Sequence, residues 1–271
     1  MESGQTTCPP ICMMAWRIGD TLDILDQFDW VQHAGFDGVG FHAHGGIPGK
    51  WRGVEPSTCD AAGRRQLRDR LQAFAAVEIH APFALTFSAD ALMPVVDGLE
   101  PVLAFAGDVG ATVVTVHADP PTPDRADAAW FRTLERLNTL AERNDLLVGL
   151  ETTANFATIR DQDLSCVGVT LDVGHMYCND RKPLIPFGSI GAVVREIGSA
   201  MVHLHLHDVK DGRDHVEIGT GEVDFPDLLS ALQDTSFRRT LCLELNPDLV
   251  TSEAMQRSLA AVRRGLQDAA V

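Results

Sequence analysis

The chain has 271 residues, of which 45% are hydrophobic, and its 38 acidic side chains against 22 Lys and Arg give a formal net charge of −16. This acidic balance argues against a nucleic-acid partner, because phosphate groups would have to approach against the field of the whole protein. No apolar run approaches the roughly 18 to 20 residues that a transmembrane helix needs, so no membrane association is expected.

Two features of the sequence bear on its compartment. The N-terminal segment carries Glu2 and has no basic stretch before an apolar run, which is not the pattern of a secretory signal peptide. The six cysteines include no Cys-x-x-Cys pair, so neither a disulfide framework nor a thiolate zinc site is expected. We therefore expect reduced thiols in a cytoplasmic protein.

Short apolar runs rich in Val, Ile, Leu and Phe predict the strands of the fold. In chain order these runs cover residues 11–16, 38–43, 77–80, 112–117, 146–151, 168–172, 201–207 and 240–245. Most of them are apolar almost without interruption, as is typical of strands that are covered on both faces.

Amphipathic stretches of helical length lie between nearly all of these runs. Examples cover residues 22–33, 61–76, 128–143, 225–233 and 252–267. Strands that alternate with helices in this way predict an α/β protein, a single (β/α)8 TIM barrel. An open doubly wound sheet is the alternative, but residues 13–17 lack the Gly-rich turn that a dinucleotide-binding sheet would place there. Because the sequence contains no linker-like segment, one domain over residues 1–271 is predicted.

Chemically active side chains gather at the carboxyl ends of the predicted strands. In a barrel these ends converge on one face, which is where active sites are built. The side chains at or just beyond the strand ends are His42, His44, His80, His117, Glu151, Asp172, His175, His203, His205, His207, Asp208 and Glu244.

The carboxylates in this set point to a metal site. Glu151 and Glu244 lie inside apolar runs, and Asp172 ends another such run. A buried carboxylate without a partner is costly, so carboxylates in such places are usually paired or bound to metal. Single histidines such as His33 and His42 are more typical of hydrogen-bonded structural residues.

The seventh strand carries histidines at every second position, so His203, His205 and His207 share one face and point into the barrel. His203 lies deepest and fits a polar layer of mutually bonded imidazoles. His205 lies nearer the mouth and is the candidate ligand. With Glu151, Asp172 and Glu244 it forms an oxygen-rich set that suits one Mn²⁺, Mg²⁺ or Co²⁺ ion. Zinc becomes an option if further imidazoles join, and these would come from His80, His117, His175 and His215.

Two loops could complete a site. The loop after the second strand carries Lys50, Trp51 and Arg52, which would either cover a bound sugar or form an ordinary surface loop. The loop after the sixth strand carries Arg181 and Lys182, either as anion contacts or as a solvated basic turn.

The order of these motifs resembles the xylose-isomerase-like TIM-barrel superfamily, which includes sugar and sugar-phosphate isomerases and epimerases as well as the apurinic endonucleases. The motifs that carry the resemblance are HAPF from residue 80, VHADP from 116, LETT from 150, LDVGH from 171, HLHLHD from 203, the IGTGEVDF segment from 218 and LCLEL from 241.

For the isomerases and epimerases, the resemblance implies one divalent ion held by Glu151, Asp172, His205 and Glu244. It implies further that Glu151 and Glu244 shuttle a proton through a metal-stabilised enediolate of a small sugar, sugar phosphate or keto-polyol. His175 and Arg213 would lie near the substrate oxygens. A dehydratase or lyase acting on a similar keto-substrate uses the same chemistry and remains an alternative.

For the endonucleases, the resemblance implies three zinc ions, with His80, His117, His175 and His215 as additional ligands. This sequence departs from that pattern at Arg213, where a carboxylate is expected, and at His207, where many relatives carry Lys or Asn. These departures and the acidic charge favour a small-molecule substrate. The sequence does not determine the number of subunits, and a homo-oligomer is one of the options.

Overall fold

A computed structural model describes residues 8–88 and 92–269. Residues 1–7, on which part of the signal-peptide argument depends, lie outside the described residues. Within those ranges, no helix combines the length and the apolar character that crossing a lipid bilayer requires.

Eight parallel strands close into a barrel. The strands of the chain are β1 (Ile11–Met14), β2 (Gly38–His42), β3 (Ala76–His80), β4 (Phe87–Ser88), β5 (Val113–Asp119), β6 (Leu147–Glu151), β7 (Val167–Asp172), β8 (Met201–Leu206), β9 (Asp208–Lys210), β10 (Arg213–Val216) and β11 (Thr240–Leu243). Strands β1, β2, β3, β5, β6, β7, β8 and β11 pair in this order, and β11 returns to β1. The predicted (β/α)8 barrel is confirmed. Strand β4 extends the sheet beside β5, and β9 and β10 form a separate antiparallel hairpin.

Helices surround the barrel. They are α1 (Ile24–His33), α2 (Ala61–Leu71), α3 (Leu92–Val109), α4 (Ala128–Arg143), α5 (Ala157–Arg160), α6 (Cys178–Arg181), α7 (Ile190–Ile197), α8 (Phe225–Asp234) and α9 (Ser252–Asp268). Most of the longer helices begin where a side-chain oxygen accepts hydrogen bonds from amides of the first turn, which would otherwise lack partners. These N-cap residues are Asp23, Asp60, Asp127, Ser189, Asp224 and Thr251.

The barrel interior differs from the layer between the strands and the helices. The outer layer is built from large apolar side chains such as Phe28, Phe41 and Trp130, all fully buried. The interior instead contains a fully buried polar layer, listed here in chain order: Glu78, Thr115, Thr170, His203 and His205. Buried polar groups need partners, so this layer determines how the side chains at the mouth are held.

Asp208 anchors the loop that follows the β9–β10 hairpin. Its buried carboxylate accepts hydrogen bonds from the backbone amides of Val209, Gly219, Gly221 and Val223, at 2.8 to 3.0 Å. Four charge-assisted hydrogen bonds hold this loop in one conformation beside the carboxyl end of β8.

Candidate metal centre and active site

Four side chains from neighbouring strands meet at the carboxyl end of the barrel. Glu151 ends β6, Asp172 ends β7, His205 lies in β8 and Glu244 directly follows β11. The Nδ1 atom of His205 lies 3.0 Å from Oε2 of Glu244, 3.7 Å from Oε2 of Glu151 and 3.9 Å from Oδ2 of Asp172. The structure therefore brings together the four residues that the sequence marked as metal ligands.

The donor atoms of this cluster fit a divalent cation. Oε2 of Glu151 and Nδ1 of His205 are fully buried, and none of their contacts has hydrogen-bond geometry. Such atoms are costly unless another group satisfies them. Carboxylate oxygens and an imidazole nitrogen are ligands that Mn²⁺, Mg²⁺, Co²⁺ and Zn²⁺ accept. Ligating atoms of Glu151, Asp172 and His205 all lie within 4.8 Å of one another.

Two further imidazoles contact Glu151 from the side of β3 and β5. Nε2 of His80 lies 3.3 Å and Nε2 of His117 lies 3.4 Å from Oε2 of Glu151. Burial lowers the pKa of His117 more than Glu151 raises it, so His117 is held neutral. A neutral imidazole can act as a ligand, so His80, His117 and Glu151 form a second group able to hold a cation.

A third group surrounds Asp172. Nε2 of His207 lies 2.9 Å from Oδ1 of Asp172, and Nδ1 of His207 accepts the backbone N–H of His215 at 2.9 Å. His207 therefore uses Nδ1 as an acceptor and Nε2 as a donor toward Asp172. Its ring stacks on that of His215 with centroids 3.9 Å apart. Gly174 leaves the room for this arrangement, since a Cβ there would lie 2.0 Å from Cε1 of His207.

His175 links Asp172 and Glu151 at the edge of the cluster. Its Nδ1 lies 3.4 Å from Oδ2 of Asp172 and 3.5 Å from Oε1 of Glu151. Burial would lower the pKa of His175, but the charge of Asp172 and the contact with Glu151 outweigh it and raise the pKa to about 9. His175 is one-third exposed, so this protonated side chain lies between the buried carboxylates and solvent.

A cavity of about 710 Å³ opens beside His175. Its walls include Tyr177, Arg181, Asp214 and Glu222. Arg181 lies on the loop that the sequence left open between an anion contact and a basic turn, and its Nη2 lies 2.7 Å from Oε2 of Glu222. The cavity has the size of a small-molecule site.

The structure does not bring Arg213 to this cluster. Arg213 is exposed and lines a separate surface depression with Lys210 and Glu217. The neighbouring Asp214 lies inward instead, with Oδ1 3.2 Å from Nδ1 of His215. The reason is an irregularity in β10, where the register shifts and His215 adopts a φ of 54°. This breaks the alternation of faces that an ordinary strand would impose.

Comparison with known proteins agrees with the fold. A family profile described as xylose isomerase-like TIM barrel matches residues 28–264. The chain belongs to the xylose isomerase-like TIM barrel family. A search of curated proteins found no match.

Solved structures of similar fold cover nearly all of this xylose isomerase-like barrel. An L-ribulose 3-epimerase matches with a TM-score of 0.68 and 20% identity, over 96% of this chain and 95% of its own. A xylose isomerase domain protein from Planctomyces limnophilus matches with a TM-score of 0.70 and 17% identity, over 97% and 96%. A 3-keto-D-glucoside 4-epimerase from E. coli matches with a TM-score of 0.68 and 17% identity, over 94% and 99%.

Sequence reasoning missed Glu78, which lies beneath the candidate site of this xylose isomerase-like barrel. Glu78 lies two positions before His80 in β3 and is fully buried inside the barrel. The signal was available, because residues two apart on a strand share a face and a Glu in an apolar run is as costly as Glu244. The expected bonds between imidazoles also differ, since Nε2 of His203 lies 2.9 Å from Oε2 of Glu78.

Aromatic side chains line the opposite side of the mouth of this xylose isomerase-like barrel. Trp51 packs with its ring centroid 4.9 Å from that of His42, and Trp16 stacks on His42 at 5.5 Å. Phe83, which is 47% exposed, lies 5.2 Å from His117. The contact with His42 therefore holds Trp51 at the mouth of the barrel.

His42 makes the stability of the protein depend on pH. Burial in this aromatic surrounding lowers the pKa of His42 from 6.5 to about 3. Between these values the unfolded chain binds a proton that the folded chain rejects, so stability falls as the pH falls. When the pH falls from about 6.5 to about 5, the free energy of unfolding should decrease in wild type by about 2 kcal/mol more than in His42→Phe. Urea unfolding at both pH values measures this difference.

The exposed His33 provides the control. His33→Gln should keep the pH dependence of wild type, because His33 lies on the surface at the end of α1. Equal losses of stability in wild type and His42→Phe would show that His42 does not cause the dependence.

Proposed function

We propose that this protein is a divalent-metal-dependent isomerase or epimerase of a small sugar, sugar phosphate or keto-polyol. The observation that carries the proposal is the meeting of ligand atoms from Glu151, Asp172 and His205 within 4.8 Å of one another, with Glu244 3.0 Å from His205. At this buried place, Oε2 of Glu151 and Nδ1 of His205 lack hydrogen bonds. Proteins that share the fold include an L-ribulose 3-epimerase and a 3-keto-D-glucoside 4-epimerase, which supports this substrate class. The proposed enzyme is cytoplasmic, and its single domain spans residues 1–271.

The four ligands would hold one ion, with Mn²⁺, Mg²⁺ or Co²⁺ favoured by the three carboxylates and Zn²⁺ as the alternative. An ion held by these residues would polarise a hydroxyl or carbonyl oxygen of the sugar and so acidify the adjacent C–H bond. The cavity beside His175 has room for the rest of the substrate.

Glu151 and Glu244 perform the proton transfer. Their Oε2 atoms lie 3.7 and 3.0 Å from the same nitrogen of His205, so both carboxylates border one space. Burial would raise the pKa of Glu244, but the imidazoles of His205 and His215 outweigh it and hold the pKa well below the usual range. Glu244 is therefore ionised and removes the carbon-bound proton as a general base, which it later releases to solvent. Glu151, once it has received a proton from His175, returns that proton to the opposite face and inverts the carbon.

His175 supplies the exchange with solvent. It contacts Oε1 of Glu151 at 3.5 Å and remains partly exposed. Its pKa of about 9 keeps it protonated near neutral pH, so it can pass a proton to Glu151 before Glu151 donates to the substrate, and it then regains a proton from solvent. The proton that is returned to the substrate then carries the isotope of the solvent.

This exchange is the test of the proposal. The purified protein is incubated with Mn²⁺, Mg²⁺ or Co²⁺ and a panel of ketoses in D₂O, and deuterium at carbon is measured by NMR. Deuterium at one carbon, together with an epimer or aldose product, is the expected result. A product that has lost water would instead indicate a dehydratase or lyase. The proposal is rejected if the metal-loaded protein exchanges no carbon-bound proton across the panel.

A zinc phosphodiesterase that cuts DNA at abasic sites is a second candidate. The groups His80–His117–Glu151 and Asp172–His175–His207–His215 favour it, because they could hold two more cations. The net charge of −16 argues against it, as does Arg213, which stands where the endonuclease pattern has a carboxylate. Metal analysis decides between the candidates, since three zinc ions per chain and cleavage of an abasic duplex would favour the phosphodiesterase.

His207 is expected to influence substrate choice. His207→Lys keeps a donor in reach of Asp172, so the affinity for Mn²⁺ should change less than about threefold. The ratio of kcat/KM between two sugars of the panel should shift by about tenfold, because His207 packs against His175, which lines the cavity. His207→Ala lacks the donor and should weaken Mn²⁺ binding about 10-fold to 100-fold. An unchanged preference in the Lys variant would contradict this role.

A further inference from the structure

Glu78 lies beneath the proposed metal centre and has no role in the mechanism above. It is fully buried in β3, inside the barrel. Its Oε1 accepts a hydrogen bond from Oγ1 of Thr115 at 2.9 Å and lies 2.6 Å from Nε2 of His205. Its Oε2 lies 2.9 Å from Nε2 of His203. Both oxygens of the carboxylate are therefore contacted from defined directions.

These contacts define which nitrogen of His205 faces the metal centre. An ionised carboxylate can only accept hydrogen bonds, so Nε2 of His205 carries the proton that lies toward Glu78. A ring that binds a metal ion is neutral, so in the metal-loaded protein the lone pair is then on Nδ1. Nδ1 is the atom that lies 3.0 Å from Glu244 and 3.7 Å from Glu151, on the side of the other ligands.

We propose that Glu78 is the positioning residue of the metal centre, which fixes the ring and the tautomer of His205 so that Nδ1 faces the ion. This inference rests on the proposed function. A carboxylate that accepts the second N–H of a ligating imidazole orients the ring and makes it a stronger ligand. Thr115 acts through Glu78, because its hydroxyl donates to Oε1 and holds that oxygen in place. His203 lies beside the other oxygen.

The neighbouring glycines leave the space that this arrangement occupies. A Cβ at Gly40 would lie 3.1 Å from Oε2 of Glu78. A Cβ at Gly149 would lie 1.9 Å from Oγ1 of Thr170, which in turn lies 3.5 Å from Oγ1 of Thr115. The polar layer is packed closely enough to hold Glu78 in one position.

The distances favour a hydrogen bond over a second cation between Glu78, His203 and His205. Two ligands about 2.0 to 2.1 Å from one ion in tetrahedral geometry lie more than about 3 Å apart. Oε1 of Glu78 and Nε2 of His205 are 2.6 Å apart, which is too close for that geometry. A charge-assisted hydrogen bond accounts for the contact.

The test measures Mn²⁺ binding to the metal-free full-length chain by calorimetry. Glu78→Ala is expected to weaken the affinity about 10-fold to 100-fold. Glu78→Gln keeps an acceptor oxygen and should recover most of this loss of affinity. The Gln variant can also be measured if the Ala variant folds poorly. Ser258→Ala alters a fully buried polar residue that bonds the amide of Ile218, away from the site, and should bind Mn²⁺ as wild type does.

Two further measurements separate positioning from general destabilisation. At saturating Mn²⁺, the kcat of Glu78→Gln should stay within about threefold of wild type. In the zinc-loaded wild type, nitrogen NMR should find His205 with a protonated Nε2 and an unprotonated Nδ1.

Each contrary outcome has a distinct meaning. If Glu78→Ala binds Mn²⁺ as tightly as wild type, the inference is overturned while the proposed function stands. If wild type binds no divalent ion, the proposed function fails and this inference fails with it. A second bound ion in wild type that is lost in Glu78→Ala would make Glu78 a ligand and not a positioning residue.

Discussion

Glu151→Gln and Glu244→Gln are each expected to slow the exchange of the substrate's carbon-bound proton by about 10²-fold to 10⁴-fold. Each Gln keeps the shape and one oxygen of the carboxylate but cannot accept the proton. The corresponding Ala variants should lose Mn²⁺ as well, because they remove an oxygen beside Nδ1 of His205. Deuterium incorporation and metal content, measured on the same samples, separate the two effects.

An exposed glutamate supplies the matched control. Glu135 lies on the outer face of α4, and Glu135→Gln should match wild type in both measurements. Glu244→Ala with a full complement of metal would refute the proposed ligand set. Wild-type exchange in Glu151→Gln would remove Glu151 from the proton transfer and leave its ligand role intact.

Removal of the metal is expected to destabilise the protein strongly. Glu151, Asp172 and Glu244 are buried around His205, and a dication offsets the repulsion among their charges. An ion at a thousandfold excess over its Kd stabilises the folded state by about 4 kcal/mol. For a domain of this size, that corresponds to a fall in Tm of roughly 8 to 15 °C when EDTA replaces Mn²⁺.

Asp172→Ala tests whether this shift arises at the proposed centre. The variant should melt at about the same temperature with Mn²⁺ and with EDTA, because it lacks one of the buried ligands. Equal Tm values for wild type in Mn²⁺ and in EDTA would show that no ion is bound here. A shift of wild-type size in Asp172→Ala would place the ion elsewhere.

The barrel could be predicted because its signals are local and repeated. Each of the eight predicted runs lies on a barrel strand. The ends of the apolar runs therefore predict where the strands end. Parallel strands place those ends on one face, so the meeting of Glu151, Asp172 and Glu244 follows from the topology. Their ligand roles remain predictions that the experiments above test.

The remaining parts of the site depend on details that periodicity does not carry. The irregularity in β10 leaves Arg213 outside, while Asp214 lies beside His175 and His215. The family resemblance placed Arg213 near the substrate oxygens, and a resemblance of motifs does not carry a local irregularity of this kind. Glu78 is different, because it alternates regularly with His80 and period two places it on the inner face. The signal that was not used is the energetic cost of burying its carboxylate.

The contact between Gly174 and His207 restricts how this site can diverge. No side chain fits at position 174 while an imidazole occupies position 207, since the two would overlap at 2.0 Å. A homologue that replaces Gly174 must therefore also replace His207 with a residue that vacates this space. In related sequences, positions 174 and 207 are expected to change as a pair. The residue type at position 174 then predicts whether an imidazole can lie beside Asp172.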